Sequence, residues 1–150
     1  MDAISIRPVR PRDAEEWLRL RLALWPGERD AHAADIQRFF DDRSTTREAV
    51  LVAHRDGRLV GLAELSLRAY AEGCHTSPVA FLEGWFVSPE VRRSGVGRAL
   101  LEAAEAWGRD HGCREFASDT EVDNDMSTEV HRACGFEEAA VIRCFRKSLE

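Results

Sequence analysis

The dipeptide Asp56-Gly57 constrains the fold of this chain more than any other feature. It separates two apolar runs, Val50 to His54 and Leu59 to Leu67, and Asp-Gly supplies the positive φ angles that a two-residue hairpin turn requires. Two antiparallel strands are therefore predicted there. Around them, Ile4, Ile6 and Val9 read as a first strand, and Asp13-Ala14-Glu15-Glu16 has the D-x-x-E spacing of a capped helix start. Trp17, Leu20 and Leu24 continue that helix until Pro26-Gly27 stops it, and a second helix is predicted from Ala31 to Phe40 behind Asp30 as its cap. After a loop from Ala69 to Pro78, Val79 to Val87 forms an apolar strand interrupted by Glu83 and ended by Pro89. Val96, Leu100, Ala103 and Trp107 keep helical spacing up to His111-Gly112. Arg114 to Ser118 reads as a short strand, Ser127 to Cys134 as a short helix, and the alternation of Val141, Arg143 and Phe145 as a last strand. The order is that of a mixed α/β (α+β) fold.

At 150 residues the expectation is one domain spanning 1–150. The 21 basic and 27 acidic residues give a net charge of -6, which argues against a nucleic-acid partner held through phosphates. No apolar run approaches the roughly 20 residues of a membrane span. Met1-Asp2-Ala3 offers no basic start followed by an apolar stretch, so a cytoplasmic chain is expected. Cys74, Cys113, Cys134 and Cys144 lack the paired spacing of a zinc site, and no metal is expected.

The segment Arg92-Arg93-Ser94-Gly95-Val96-Gly97 lies between a strand and an amphipathic helix. A helix start exposes unpaired N–H groups, and glycines let an anion approach them closely. The two arginines suit a diphosphate or ribose phosphate. Spacing alone fits equally a glycine turn with solvated arginines.

Arg92-x-x-Gly95-x-Gly97 after the strand Phe81 to Val87 resembles the acetyl-CoA motif of the GNAT N-acetyltransferases, and Asn124 with Gly135-Phe136 resembles that superfamily's second CoA-contacting motif. The order of elements agrees over essentially the whole chain, which implies a mainly antiparallel central sheet flanked by helices. Leu24-Trp25-Pro26-Gly27, Ser77 to Gly84 and Cys113 to Thr120 further resemble the aminoglycoside 6′-N-acetyltransferases, small bacterial resistance enzymes. That resemblance implies transfer of acetyl from acetyl-CoA to the 6′-amine of a polycationic aminosugar, and a homodimer paired through its C-terminal region. It also implies cofactor contacts at Trp85, Phe86, Val87, Arg92, Arg93, Ser94, Gly95, Val96, Gly97, Arg98 and Asn124. Val87 would act through its backbone N–H, polarising the thioester carbonyl where the strands splay. Asn in such a loop is equally often a helix cap.

An alkyl amine has a pKa of about 10 and attacks a thioester only when neutral, so a proton acceptor is needed. Glu83, alone among apolar strand residues, is the candidate base and a substrate contact, acting directly or through water. A strand glutamate also serves by facing solvent or pairing with an arginine. Asp119 ends the fifth strand and matches the family's substrate carboxylate. It belongs to a run of Glu115, Asp119, Glu121, Asp123, Asp125 and Glu129 that steers a polycation or is simply solvated. Trp25 and Tyr70 resemble ring contacts to the aminosugar, aromatic faces suiting a cation, or else they are packing residues.

Many GNAT enzymes place a tyrosine four residues before the terminal Gly-Phe to protonate the departing thiolate, whereas this chain has His131. An acidic contact that some relatives carry near Ala140 is missing unless Glu137 or Glu138 replaces it. Two rival readings remain at this level: a GNAT enzyme for another amine, such as a polyamine or a protein terminus, and a non-catalytic acetyl-CoA-binding module. Glu83 and Asp119 speak against the second.

Overall fold

The computed structural model describes residues 3–41 and 47–150. Its strands are β1 (Ser5–Pro8), β2 (Ala49–Arg55), β3 (Arg58–Arg68), β4 (Val79–Val87) and β5 (Phe116–Ser118). Its helices are α1 (Ala14–Leu24), α2 (Arg29–Phe40), α3 (Val96–Asp110) and α4 (Asp125–Ala133). Asp56 and Gly57 have φ angles of 53° and 76°, the left-handed pair that a tight hairpin turn demands, and Arg55 faces Arg58 across it. The five strands lie side by side in chain order. β1 to β4 are antiparallel neighbours, and β5 returns beside β4 in parallel after the α3 crossover.

Alternation along the strands sorts their side chains onto two covered faces. Leu51, Ala53, Ala63, Leu65 and Leu82 meet Val96, Leu100, Leu101 and Ala104 of α3. Val50, Val52 and Leu62 meet Trp17 and Leu20 of α1 and Ile36 of α2. Phe39 and Phe40 hold the Trp17 ring edge-on, at centroid distances of 5.3 and 5.7 Å. Leu20, Leu62, Leu65 and Leu100 are fully buried, each contributing about 1.5–3 kcal/mol through water exclusion. Among the described residues, no helix is long and apolar enough to cross a membrane.

Several expected boundaries shift for identifiable reasons. Asp13 stands just before α1, but its carboxylate accepts from Arg7 at 2.7 and 3.0 Å and from the Arg10 N–H at 2.8 Å. It ties the turn Pro11–Asp13 to β1 and does not cap α1. Glu16, the expected returning carboxylate, bonds Arg19 and the Leu59 N–H instead. The second helix starts at Arg29, so Asp30 lies in its first turn and caps nothing. The expected last strand at Val141, Arg143 and Phe145 does not form, and residues 137–150 are an exposed arm without regular secondary structure. A strand requires a neighbour to share its hydrogen bonds, and no strand among the described residues pairs with the arm.

A register shift in the β3–β4 ladder positions the chemistry. Glu64 faces Gly84 and Leu65 faces Leu82, leaving Glu83 as the extra residue of a β-bulge. Bulges re-aim side chains, and they recur beside active sites.

Candidate active site

β4 and β5 pair only from Ala80↔Phe116 to Leu82↔Ser118. β5 then ends while β4 runs on to Val87, so a gap opens between them. Ser88 donates its N–H to Val60 O at 2.8 Å, and strand alternation turns the preceding Val87 N–H to the opposite edge, the one β5 has left. The Val87 carbonyl on that edge accepts from Arg92 Nε at 2.9 Å. Trp85 shares this wall; its Nε1 is a buried donor with no partner among the described residues.

α3 begins directly beyond the gap. Gly95 precedes it with φ of 88°, a conformation that costs a residue with a side chain but not glycine. Gly97 packs flat on the gap's wall, where a Cβ would come within 3.3 Å of Trp85 Cζ2 and 3.4 Å of Val87 Cγ2. Arg93 and Ser94 are exposed beside the helix start, with Ser94 Oγ bonded to Val91 O, while Val96 is buried under it. A helix start presents N–H groups without intrahelical partners, which suit a diphosphate. Arg92 lies over the Phe86 ring at 5.7 Å. Arg98 reaches the Ala133 carbonyl at the end of α4 at 2.9 Å, where it satisfies a helix C-terminus. Asn124 is a cap: its Oδ1 accepts from the Ser127 N–H at 3.1 Å.

His131 projects from α4 toward the gap. Its Nδ1 lies 2.7 Å from Ser127 O, so that nitrogen carries a proton, and Nε2 lies 2.9 Å from Ser118 Oγ. Its ring meets Trp85 at 5.6 Å and Phe136 at 5.2 Å.

On the sheet face away from α3, the bulge brings Glu83 among polar neighbours. Ser66 Oγ donates to Oε1 at 2.6 Å, and Arg68 reaches both carboxylate oxygens at 2.9 Å. Arg68 in turn lies 3.5 Å over the Phe81 ring. These groups line an open cleft of about 420 Å³ together with Arg47, Glu48 and Leu67. Trp25 ends α1 with its ring against Gly84, the residue next to Glu83. Asp119, one position past the last β4–β5 pair just as Glu83 is on the neighbouring strand, is exposed and without a hydrogen-bond partner among the described residues. Tyr70 is 64% exposed. The charge of Glu72, whose carboxylate accepts the phenol hydrogen bond at 3.2 Å, pushes the Tyr70 pKa up.

The acidic run divides in the structure. Glu115 accepts from Thr76 Oγ1 and from the His75 and Thr76 N–H groups, and these donors hold its carboxyl below the usual range. It therefore fastens the 69–78 loop to β5. Glu121, Asp123, Asp125 and Glu129 are exposed to solvent.

Sequence reasoning missed Ser66, Arg68 and Ser118 as partners of the candidate groups, and Glu64 altogether. Glu64, Ser66 and Arg68 alternate with Leu65 and Leu67, a period-two polar stripe that marks one strand face.

Residues 14–136 match the Acetyltransferase (GNAT) family. An aminoglycoside N(6′)-acetyltransferase type 1 of Klebsiella aerogenes is 51% identical over 146 residues, covering 96% of each chain. The crystallised aminoglycoside N-acetyltransferase AAC(6′)-Iy in complex with CoA superposes with a TM-score of 0.91 at 42% identity, over 98% of this chain and 96% of that one. The same enzyme with the bisubstrate analogue CoA-S-monomethyl-acetylneamine gives 0.89 at 42% identity, over 97% of this chain and 99% of that one. A glycine turn beside splayed strands, a carboxylate cleft on the facing side and these full-length matches have one source: the chain belongs to the GNAT acetyltransferase family and is similar to its aminoglycoside 6′-N-acetyltransferases.

Proposed function

We propose that this protein transfers acetyl from acetyl-CoA to the 6′-amine of an aminoglycoside antibiotic by direct attack in a ternary complex, and so confers resistance. The observation that carries this reading is the bulge that sets Glu83 beside the β4–β5 gap, bringing a carboxylate next to the opening where the strands part. The whole chain works as one catalytic domain in the cytoplasm.

The residues divide the work. The N–H groups at Gly95 to Arg98 receive the pyrophosphate, with Arg92, Arg93 and Ser94 beside them, and Trp85 and Phe86 line the pantetheine path. The Val87 N–H donates to the thioester carbonyl, stabilising charge that grows on its oxygen during attack. Glu83 takes the amine proton directly or through water, and Asp119 holds a neighbouring ammonium and shares that role. Because Arg68 already occupies both Glu83 oxygens, a substrate ammonium must compete with a fixed cation, which favours ligands carrying several positive charges. Trp25 and Tyr70 bracket the sugar. Asn124 and Arg98 support the cofactor side through α4, one capping its start and the other its end. The thiolate leaves to solvent or takes a proton near His131.

The partner is a second copy of the chain. The C-terminal arm exposes Val141, Ile142, Phe145 and Leu149, and among the described residues β5 is paired on one side only, which supports pairing through that region.

The deciding experiment follows CoA release with acetyl-CoA and a panel of amines, then locates the acetyl group by NMR. A 6′-amino aminoglycoside should gain one acetyl group at that amine, and a 6′-hydroxyl analogue should be a poor substrate because the oxygen is the weaker nucleophile. Equal turnover of a polyamine or a peptide terminus would assign another amine to the site. No turnover of any amine, with acetyl-CoA still bound, would leave a binding module.

A further inference from the structure

Glu64 has 0% exposure, the lowest of any charged residue among those described, yet it sits on a central strand in none of the roles above. Two donors and a further cation converge on its carboxylate. Trp17 Nε1 donates to Oε2 at 3.0 Å, and Arg47 Nε donates to Oε1 at 2.8 Å. Arg21 Nε lies 3.2 Å from Oε2 as an ion pair without hydrogen-bond alignment. Arg21 is itself buried, and its other side is 3.4 Å from Asp35 of α2. Withdrawing such ions from water costs several kcal/mol each, and packed hydrophobic residues commonly serve stability as well or better. Stability therefore gives no account of why a carboxylate stands here.

What the cluster touches supplies one. Both guanidinium groups lie over the Trp25 ring, Arg21 at 5.5 Å and Arg47 at 5.7 Å from its centroid. The ring's outer edge rests in the slot left by Gly84, where a Cβ would fall 2.5 Å from Trp25 Cη2. Gly84 is the cross-strand partner of Glu64 and the neighbour of Glu83. One buried carboxylate thus anchors two cations, the cations grip one indole, and that indole stands at the candidate base. The ring already carries two cation contacts, so what remains for a ligand is a rigid apolar wall for the face of a sugar.

We propose that Glu64 is a positioning residue for aminosugar binding, acting through Arg21 and Arg47 to hold Trp25 over Gly84. The proposal rests on the reading of Trp25 as a substrate contact. Glu64→Gln keeps the shape and the Trp17 acceptor but removes the charge that anchors both guanidinium groups, so the ring loses its clamp. The aminoglycoside KM should rise about tenfold with kcat and the acetyl-CoA KM changed less than about twofold, the signature of binding lost equally in the ground and transition states. With 5-fluorotryptophan incorporated, the Trp25 fluorine resonance, assigned through Trp25→Phe, should shift and broaden in Glu64→Gln. In a Trp25→Ala background, Glu64→Gln should add nothing to KM.

Arg47→Met provides a second route if Glu64→Gln does not fold, because Arg47 sits partly exposed at the cleft and Arg21 and Trp17 still hold the Glu64 carboxylate. It should raise KM in the same direction and disturb the same resonance. An aminoglycoside KM unchanged in a folded variant, while Trp25→Ala raises it, would overturn the clamp and leave Trp25 as a contact. No effect of Trp25→Ala itself would also overturn the proposal, through its premise, while product analysis and Glu83→Gln continue to test the function independently.

Discussion

Glu83 illustrates how a residue's chemistry is set by neighbours that spacing does not reveal. Its place as a lone carboxylate in an apolar strand was legible, since such an interruption costs burial free energy and calls for a compensating role. Its register was not, because a bulge depends on how two strands pair, and neither was its guanidinium partner on β3. Ser66 and Arg68 hold its oxygens in place. Glu83→Gln should lower kcat/KM for the aminoglycoside on the order of 100-fold or more, the usual cost of losing a general base, with acetyl-CoA affinity little changed. Asp119→Asn should cost less, mostly in KM, since Asp119 is exposed and screened by water. Steady-state kinetics with both substrates varied checks the pair. Full activity in the Glu83→Gln, Asp119→Asn double variant would remove both groups from proton transfer.

The elements that were readable are those whose signals are local. Asp-Gly fixes the β2–β3 turn through its own φ angles, and α3 announces itself by the helical spacing of Val96, Leu100, Ala103 and Trp107, of which Val96 and Leu100 are buried in the structure. The start of α1 is not readable in this way, because Asp13 has the right spacing for a cap but its carboxylate pairs with Arg7, which lies on another element. That partner predicts a pH dependence. The Arg7 hydrogen bond holds the Asp13 carboxyl below its usual pKa, with the Arg10 N–H in support. A carboxyl depressed in the folded state binds its proton more readily when unfolded, so its stabilisation is complete above the unfolded pKa of about 4 and is lost as pH falls through the lower folded value. Asp13→Asn should cost about 2 kcal/mol at pH 7, in line with a charged hydrogen bond at a mostly buried site, and much less near pH 2. Urea unfolding at both pH values measures the difference. An equal loss at the two pH values would show that the pair's charge contributes nothing.

At the scale of the whole molecule, the alternation of Val141, Arg143 and Phe145 is a strand signal that one copy of the chain leaves unused. The arm stays with the body as far as Ala139, which lies against Gly73, and then departs with Val141 66%, Ile142 58%, Phe145 87% and Leu149 93% exposed. Large apolar side chains gain about 1.5–3 kcal/mol each on burial, which favours a partner surface that covers them. β5 meanwhile offers an edge with no neighbour among the described residues, the kind of unpaired backbone row that recruits another strand. A second copy placing its arm along that edge would satisfy both, and would turn the expected strand into a real one contributed between chains. The full chain should then migrate in light scattering at twice 16.9 kDa, and a variant ending at Ala140 should be monomeric at the same concentration. The shortened chain should also unfold at lower urea, since dimer formation stabilises by mass action. A monomeric full-length chain at tens of micromolar, or a truncated chain that still pairs, would show that the arm serves some other surface.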